Sequence, residues 1–239
     1  MSDDYFQIAG TDHFWVRRRF EVLQKLTGER IASSTEIAEI GCGHGLLQRQ
    51  IEDAYSKPVT GFDLNEYGLQ HNISRISRVC CYDISQKAAE FQGRFNLILL
   101  FDVLEHISDE SSFLRAVDYH LAPGGTLVIS VPAGEWAFSN YDRVAGHVRR
   151  YSLDSLRKAV QLAGFEPQQI SYWGLPLLPA LLFRKIVVAG QQDPRKIYDK
   201  GFDSRGSVGN SLMRLIAECE WIPQHVAGTS VMAVLHRQK

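Results

Sequence analysis

The chain reads as a doubly wound α/β sheet, and three observations predict it. Short apolar, β-branched runs alternate with segments whose apolar residues recur at helical spacing. The first such run passes into a helix through Gly41, Gly43 and Gly45, a loop where the backbone turns sharply and leaves room for a ligand. Acidic residues, Glu39, Asp63, Asp83 and Asp102, stand within or directly after successive runs. In an open parallel sheet that is the edge where ligands gather.

Size and composition bound the rest. The 239 residues suit one domain, with a helix in residues 1–30 and an insertion over residues 174–226. A formal net charge of −1 gives no bulk field for nucleic acid or an anionic membrane, so nucleic acid is not an expected partner and partners must be argued from local clusters. Cys42, Cys80, Cys81 and Cys219 lack a Cys-x-x-Cys pair and read as buried thiols. The start, Met1-Ser-Asp-Asp-Tyr, has no basic region followed by an apolar run, which fits a cytoplasmic location.

Taken in order, Thr11 to Thr27 places Val16, Phe20 and Leu23 at helical spacing, with Thr11 or Asp12 as cap. Arginines 17, 18 and 19 follow one another at about 100° per residue, so they cannot share a face. Thr35 to Ile40 is the first strand, and the helix after Gly45 carries Leu46, Leu47 and Ile51. Pro58 to Phe62 is the second strand, ending in Asp63, whose carboxylate can accept both hydroxyls of a ribose. Ile76 to Tyr82 is the third strand and ends at Asp83. Phe95 to Phe101, almost wholly apolar, is the central strand. A helix through Phe113, Leu114, Val117 and Leu121 stops at Pro123-Gly-Gly, and Thr126 to Val131 is the next strand.

Trp136, Asn140, Tyr141, Asp142, His147, Arg149, Arg150 and Tyr151 crowd a stretch with little periodicity, which predicts a binding loop. Arginine forks there would take carboxylate or phosphate, Trp136, Tyr141 and Tyr151 would offer flat faces, and His147 could remove a hydroxyl proton. The competing reading is a lid held by ion pairs from Asp142 to Arg149 or Arg150. Ser152 caps a helix bearing Leu153, Leu156, Val160 and Ala163, which Gly164-Phe165 stops, and Ile170 to Trp173 is the next strand. In the insertion, Pro176 to Phe183 is greasy but shorter than the ~20 apolar residues of a membrane span. It would cap the pocket, pair protomers as a homodimer, or touch a lipid surface. Gln191 to Gly209 reads as a mobile loop. Leu212, Leu215, Ile216 and Cys219 mark an amphipathic helix ended by Pro223, before a last strand from Thr229 to Leu235.

The glycine loop is Gly-x-Gly-x-Gly, with Leu46 where the dinucleotide fingerprint has its third glycine, so pyrophosphate binding is disfavoured. Glu39 suits a cationic or hydroxyl-bearing ligand instead. Glu39-Ile-Gly-Cys-Gly-His-Gly45 resembles motif I of the class I S-adenosylmethionine-dependent methyltransferases. Gly61-Phe-Asp63, Cys81-Tyr-Asp83-Ile, Phe101-Asp-Val-Leu-Glu-His106 and Leu121-Ala-Pro-Gly-Gly-Thr-Leu127 follow in that family's order. The resemblance implies a seven-stranded Rossmann-like sheet with the last strand antiparallel and inserted between its neighbours, a helix lidding the cofactor site, and S-adenosyl-L-methionine as cofactor.

It also implies roles. Glu39, Gly41, Cys42 and Gly43 would meet the cofactor's amino-acid and ribose side, Asp63 and Leu64 the ribose, and Asp83 and Ile84 the adenine. Phe101 and Asp102 would border its methionine part, and Arg17 would reach it from the lid helix. His106 and His147 compete as base for a small-molecule acceptor, the alternative for His106 being a residue that orients its loop. The leader His-Phe-Trp-x-x-Arg-Arg and the segment Asp142-x-x-x-Gly-His-x-Arg-Arg-Tyr151 resemble a subgroup associated with polysaccharide and glycoconjugate pathways. Asp102-x-x-Glu105-His106 is similar to the Glu-x-x-Glu-His metal set of some relatives, but Asp102 replaces a glutamate and no metal is expected. A nicotinamide-dependent oxidoreductase sharing Asp63, or a non-catalytic binding protein on the same core, are the alternatives.

Overall fold

The computed structural model describes residues 12–191, 193, 196–197 and 207–238. In chain order the elements are α1 (Phe14–Ser33), β1 (Ile37–Ile40), α2 (Leu46–Tyr55), β2 (Thr60–Asp63), α3 (Glu66–Gln70), β3 (Arg78–Cys81), β4 (Phe95–Phe101) and α4 (Glu110–His120). There follow β5 (Leu121–Pro132), α5 (Asn140–Ala145), α6 (Leu153–Leu162), β6 (Phe165–Trp173), α7 (Leu178–Val188), α8 (Ser207–Glu218) and β7 (Ser230–Arg237). The seven strands form one sheet in the order β3-β2-β1-β4-β5-β7-β6. The first five pair in parallel, and β7 lies antiparallel between β5 and β6, as the family resemblance implies.

β4, apolar except for Asn96, sits at the centre because both of its faces are covered. Leu97 and Leu99 pack with Val22 and Leu23 of α1 and Leu47 and Ile51 of α2. Ile98 and Leu100, on the opposite face, pack with Leu114 and Val117 of α4 and Leu156 and Val160 of α6. Each fully buried Leu or Ile contributes about 1.5–3 kcal/mol, so the two layers clamp the strand from either side.

Several boundaries differ from expectation for identifiable reasons. α1 runs on to Ser33, and its cap is His13, whose Nδ1 accepts from Trp15 N at 3.2 Å, in place of Asp12. Thr11 lies outside the described residues, as does most of the Gln191–Gly209 stretch. Pro123-Gly-Gly, expected to follow the helix, is absorbed into β5 as an irregularity between the pairs Phe95–Leu121 and Leu97–Thr126. β6 begins at Phe165 because β7 pairs with it along its length.

The expected helix around Leu212–Cys219 is α8; Leu212 and Leu215 are exposed on it and Ala217 is buried, and Asn210 ties it to the start of α1, accepting from Phe14 N at 2.8 Å and donating to Asp12 O at 2.9 Å. The thiol reading holds only for Cys42; Cys80, on the edge strand, is partly buried, while Cys81 and Cys219 are exposed. Within the insertion, α7 seats Val188 against Tyr141 and leaves Leu182, Phe183 and Ile186 exposed. Among the described residues no helix is long and apolar enough to cross a membrane.

Candidate active site

The parallel strands β1 to β4 point their carboxyl ends at one cavity of about 260 Å³. Its floor is the turn after β1. Gly41 and Cys42 donate backbone N–H bonds to Phe62 O, at 2.7 and 3.1 Å, which fastens the turn to β2. Gly41 has φ +77°, and a Cβ there would stand 2.3 Å from Val103 Cγ2, so the position demands glycine. Gly45, at φ +82°, caps α2 and aims that helix's N-terminus into the cavity's edge.

Three carboxylates surround the turn. Asp63 accepts from Gly43 N at 2.7 Å through Oδ2 and from Asn65 N at 2.8 Å through Oδ1, leaving further lone pairs on both oxygens. Asp83 accepts from Ser85 N and Oγ and lies beside Ile84 at the far side of the cavity. Glu39 is buried in the floor, and its Oε2 has no hydrogen-bond partner. Burial pushes the Glu39 carboxyl up to about 8; Asp63 adds to the rise, while the nearby Arg19 guanidinium opposes it. A buried, orphaned acceptor of this kind fits a ligand that brings a donor or a positive charge.

α1 contributes a different arginine from the expected one. Arg19 lines the cavity and pairs with Asp102, its guanidinium lying 4.8 Å from the ring centre of Trp15 and 5.3 Å from that of Phe101. Arg17 is half-buried and does not line the cavity, and Arg18 turns away to Glu21 and Glu220. The helical register had a usable signal for Arg19, which stands one turn after Trp15 and three residues after Val16. Asp102 itself has φ +55°, a left-handed conformation that costs a non-glycine residue energy and that its hydrogen bond to Ser130 O, at 2.9 Å, helps to hold. Phe113 and Asn65 also line the cavity and carried no motif that marked them; Tyr82 lines it too, within the Cys81-Tyr-Asp83-Ile segment, which implied no role for it.

Leu64, Phe101, Asp102 and His106 line the same cavity, as do Glu39, Gly41, Cys42, Gly43, Asp63, Asp83 and Ile84. The loop after β5 departs from expectation. Tyr151 is buried in the main core, where its hydroxyl donates to Glu110 Oε1 at 2.5 Å and lies 3.3 Å from Leu104 O. Arg150 is buried, bound through Nε to Asp142 Oδ1 at 2.7 Å and through Nη1 to Ala133 O at 3.0 Å. Arg149 pairs with Glu110 and donates to Ser108 O. Tyr141 is buried beneath Arg184, and Trp136 is exposed away from the cavity. The ion-paired lid thus describes Asp142 to Tyr151 better than a set of substrate forks does. Short backbone bonds, Tyr151 N to Pro132 O and Gly134 N to Tyr151 O, bring the chain back to the sheet and pull these side chains inward.

His147 does not line the cavity, but its Nδ1 bonds Asp142 Oδ1 at 3.0 Å and its ring lies 4.8 Å from that of His106. Burial alone would raise the Asp142 carboxyl, yet the His147 hydrogen bond and the Arg150 guanidinium outweigh it and hold the group well below the usual carboxylate range. His106 is lowered to about 4, chiefly by burial and then by His147, so its ring is neutral near pH 7. Glu105 is raised, first by burial and then by the Asp102 charge.

A glycine turn and strand-end carboxylates beside α1, on a sheet with an antiparallel strand inserted before its edge, define the fold of the class I S-adenosylmethionine-dependent methyltransferases. Residues 13–170 match the model of the methyltransferase domain family, and the chain belongs to that family. A relative from Mycolicibacterium smegmatis named "probable S-adenosylmethionine-dependent methyltransferase" is 28% identical over 161 residues, covering 65% of this chain and 60% of that protein. A ubiquinone biosynthesis O-methyltransferase from Bordetella avium is 28% identical over 120 residues, covering 47% of this chain and 48% of that protein. The chain therefore spans less than two thirds of the length of these curated relatives. A solved S-adenosylmethionine-dependent methyltransferase from Mesorhizobium loti superposes with a TM-score of 0.60 at 15% identity, over 92% of this chain and 98% of that one, a likeness of fold.

Proposed function

We propose that this chain transfers the methyl group of S-adenosyl-L-methionine to an oxygen or nitrogen of a small-molecule acceptor. The observation that carries the reading is the convergence of Glu39, Asp63 and Asp83 on one cavity around the Gly41–Gly45 turn. In this reading Asp63 accepts from the ribose hydroxyls, Asp83 with Ile84 meets the adenine, and Glu39 faces the amino-acid side. Arg19 takes the part expected of Arg17, facing the cofactor's carboxylate from the lid.

When bound, the cofactor supplies an already activated sulfonium methyl. The acceptor's lone pair forms the new bond to carbon as the carbon–sulfur bond breaks, its electrons remaining on sulfur, and the acceptor's proton must leave. Most of the acceleration then falls to alignment by the cavity walls. The proton's exit lies toward His106, whose neutral ring borders the cavity, with His147 behind it. A sugar or other biosynthetic intermediate as acceptor is supported by the leader and loop resemblances.

Calorimetry tests the reading. S-adenosylhomocysteine should bind with one-to-one stoichiometry and NADH should not. Mass spectrometry of an acceptor panel should then show a product heavier by one CH₂; binding of NADH in preference to S-adenosylhomocysteine would overturn the assignment.

A further inference from the structure

Beside the cavity lies a group of side chains whose unshared electron pairs have no partner. Glu105, in the 3₁₀ turn Leu104–His106 after β4, is fully buried, and neither of its carboxylate oxygens makes a hydrogen bond. Burial without a partner is expensive for such a group and calls for a compensating cation.

The two histidines supply the rest. A carboxylate and a carbonyl can only accept, so the proton of each ring is fixed by its neighbour. His147 donates from Nδ1 to Asp142 Oδ1 at 3.0 Å, which leaves its Nε2 lone pair free, 3.9 Å from Glu105 Oε1. His106 donates from Nδ1 to Gly146 O at 3.1 Å, and its Nε2 has no partner. One ligand atom from each of Glu105, His106 and His147 lies within 4.8 Å of the others. Asp142 is itself locked by Arg150, Ser139 N and Ser139 Oγ, so the ring it orients is held in place. A histidine whose second nitrogen is tied to a fixed carboxylate is how metal-ligating rings are oriented.

We propose that Glu105, His106 and His147 form a binding site for a divalent transition-metal ion of the Zn²⁺ type. Two neutral imidazoles with one carboxylate favour such an ion over Mg²⁺ or Ca²⁺, which prefer all-oxygen sets. Around a tetrahedral Zn²⁺ the ligand atoms stand about 3.4 Å apart, so a modest inward rotation of the side chains closes the set. Asp102, expected from its place in the chain to be the companion of Glu105 and His106, is tied to Arg19, and the third ligand comes from the loop after α5. Three protein ligands leave a fourth position, and since His106 lines the cavity, that position opens toward it. Resting on the proposed methyl transfer, an acceptor hydroxyl bound there would lose its proton more readily; the site itself does not depend on that reading.

The test needs no methyl acceptor. The full chain, stripped by a chelator, is titrated with Co²⁺ and followed by visible absorption, then competed with Zn²⁺. One equivalent should saturate the signal and Zn²⁺ should abolish it. Glu105→Gln and His147→Gln should each weaken Co²⁺ binding at least about tenfold, while His71→Gln, at an exposed histidine, should leave it unchanged. Circular dichroism establishes that each variant is folded. If the ligand variants do not fold, X-ray absorption at the zinc edge of the wild-type protein decides: imidazole in the first coordination shell supports the site, and a shell of water alone overturns it. No saturable binding by folded wild type, or unchanged affinity in the folded ligand variants, overturns it equally.

Discussion

Asp63 holds the backbone N–H of Gly43 at 2.7 Å across twenty residues of chain, so the tip of β2 and the turn after β1 are one piece of structure. The carboxylate shapes the loop and faces the cavity at the same time. Replacing it with alanine is expected to remove measurable S-adenosylhomocysteine binding by calorimetry while the chain stays folded, because the core of β2 rests on Phe62. Retained micromolar binding would end the ribose assignment.

Two neighbouring arginines separate the lid's roles. Arg19→Ala should weaken S-adenosylhomocysteine binding by about 10- to 100-fold, the worth of a charge-assisted hydrogen bond in a partly dry site. Arg17→Ala should stay close to wild type, since Arg17 is not among the residues lining the cavity. Equal losses from the two variants would contradict the register of α1.

Glu39 makes a pH prediction with a definite sign. Its folded-state value of about 8 lies above the ordinary 4.5, so the folded chain keeps a proton that the unfolded chain has released. The contribution to stability is fully present below pH 4.5 and is lost as pH rises toward 8, at no more than about 1.4 kcal/mol per pH unit. Urea unfolding at pH 5 and pH 8 should show a smaller decline for Glu39→Gln than for wild type. A positively charged ligand should release the same proton on binding, read as a dependence of the calorimetric heat on the buffer's ionisation enthalpy.

Arg150 is predicted to matter for stability. Arg150→Met leaves the buried Asp142 charge without its guanidinium, a loss of about 3–5 kcal/mol for a buried pair. Thermal unfolding should detect it. A folded variant of unaltered melting temperature and raised acceptor KM would restore the substrate role.

Gly41→Ala combines a left-handed backbone with a collision at Val103 and should cost about 1–3 kcal/mol or more. Gly124→Ala shares the positive φ, at +72°, but meets nothing within 4 Å. The difference between the two in urea unfolding isolates the collision.

The parts of the site written in local chemistry were legible in the sequence. Gly41, Asp63 and Asp83, which line the cavity, were legible because a turn and a strand end leave their marks within a few residues, and β4 because burial on both faces leaves Asn96 as its one polar position. Arg150 and Tyr151 misled because residue type alone cannot tell a fork that faces a ligand from one that faces Asp142, or a ring in a pocket from one in the core. That choice is made by the backbone return at Pro132–Tyr151, a contact between segments. His147 was singled out for its chemistry, but its neighbourhood with Glu105 depends on the same return. The helix carrying Leu212 and Leu215 was legible from its spacing, but its bonds from Asn210 to the start of α1 join distant segments and left no local mark.

The placement of β7 between β5 and β6 has a consequence for the order of events in the cell. Among the described residues β7 is the one strand that pairs with β6, so until Ser230–Arg237 leaves the ribosome, most of β6 and the open edge of β5 lack the strand that joins them. The cavity floor and walls at the ends of β1 to β4 depend only on chain already made. Synthesis would therefore deliver a nearly formed cofactor cleft on a sheet whose other half is still awaiting its keystone.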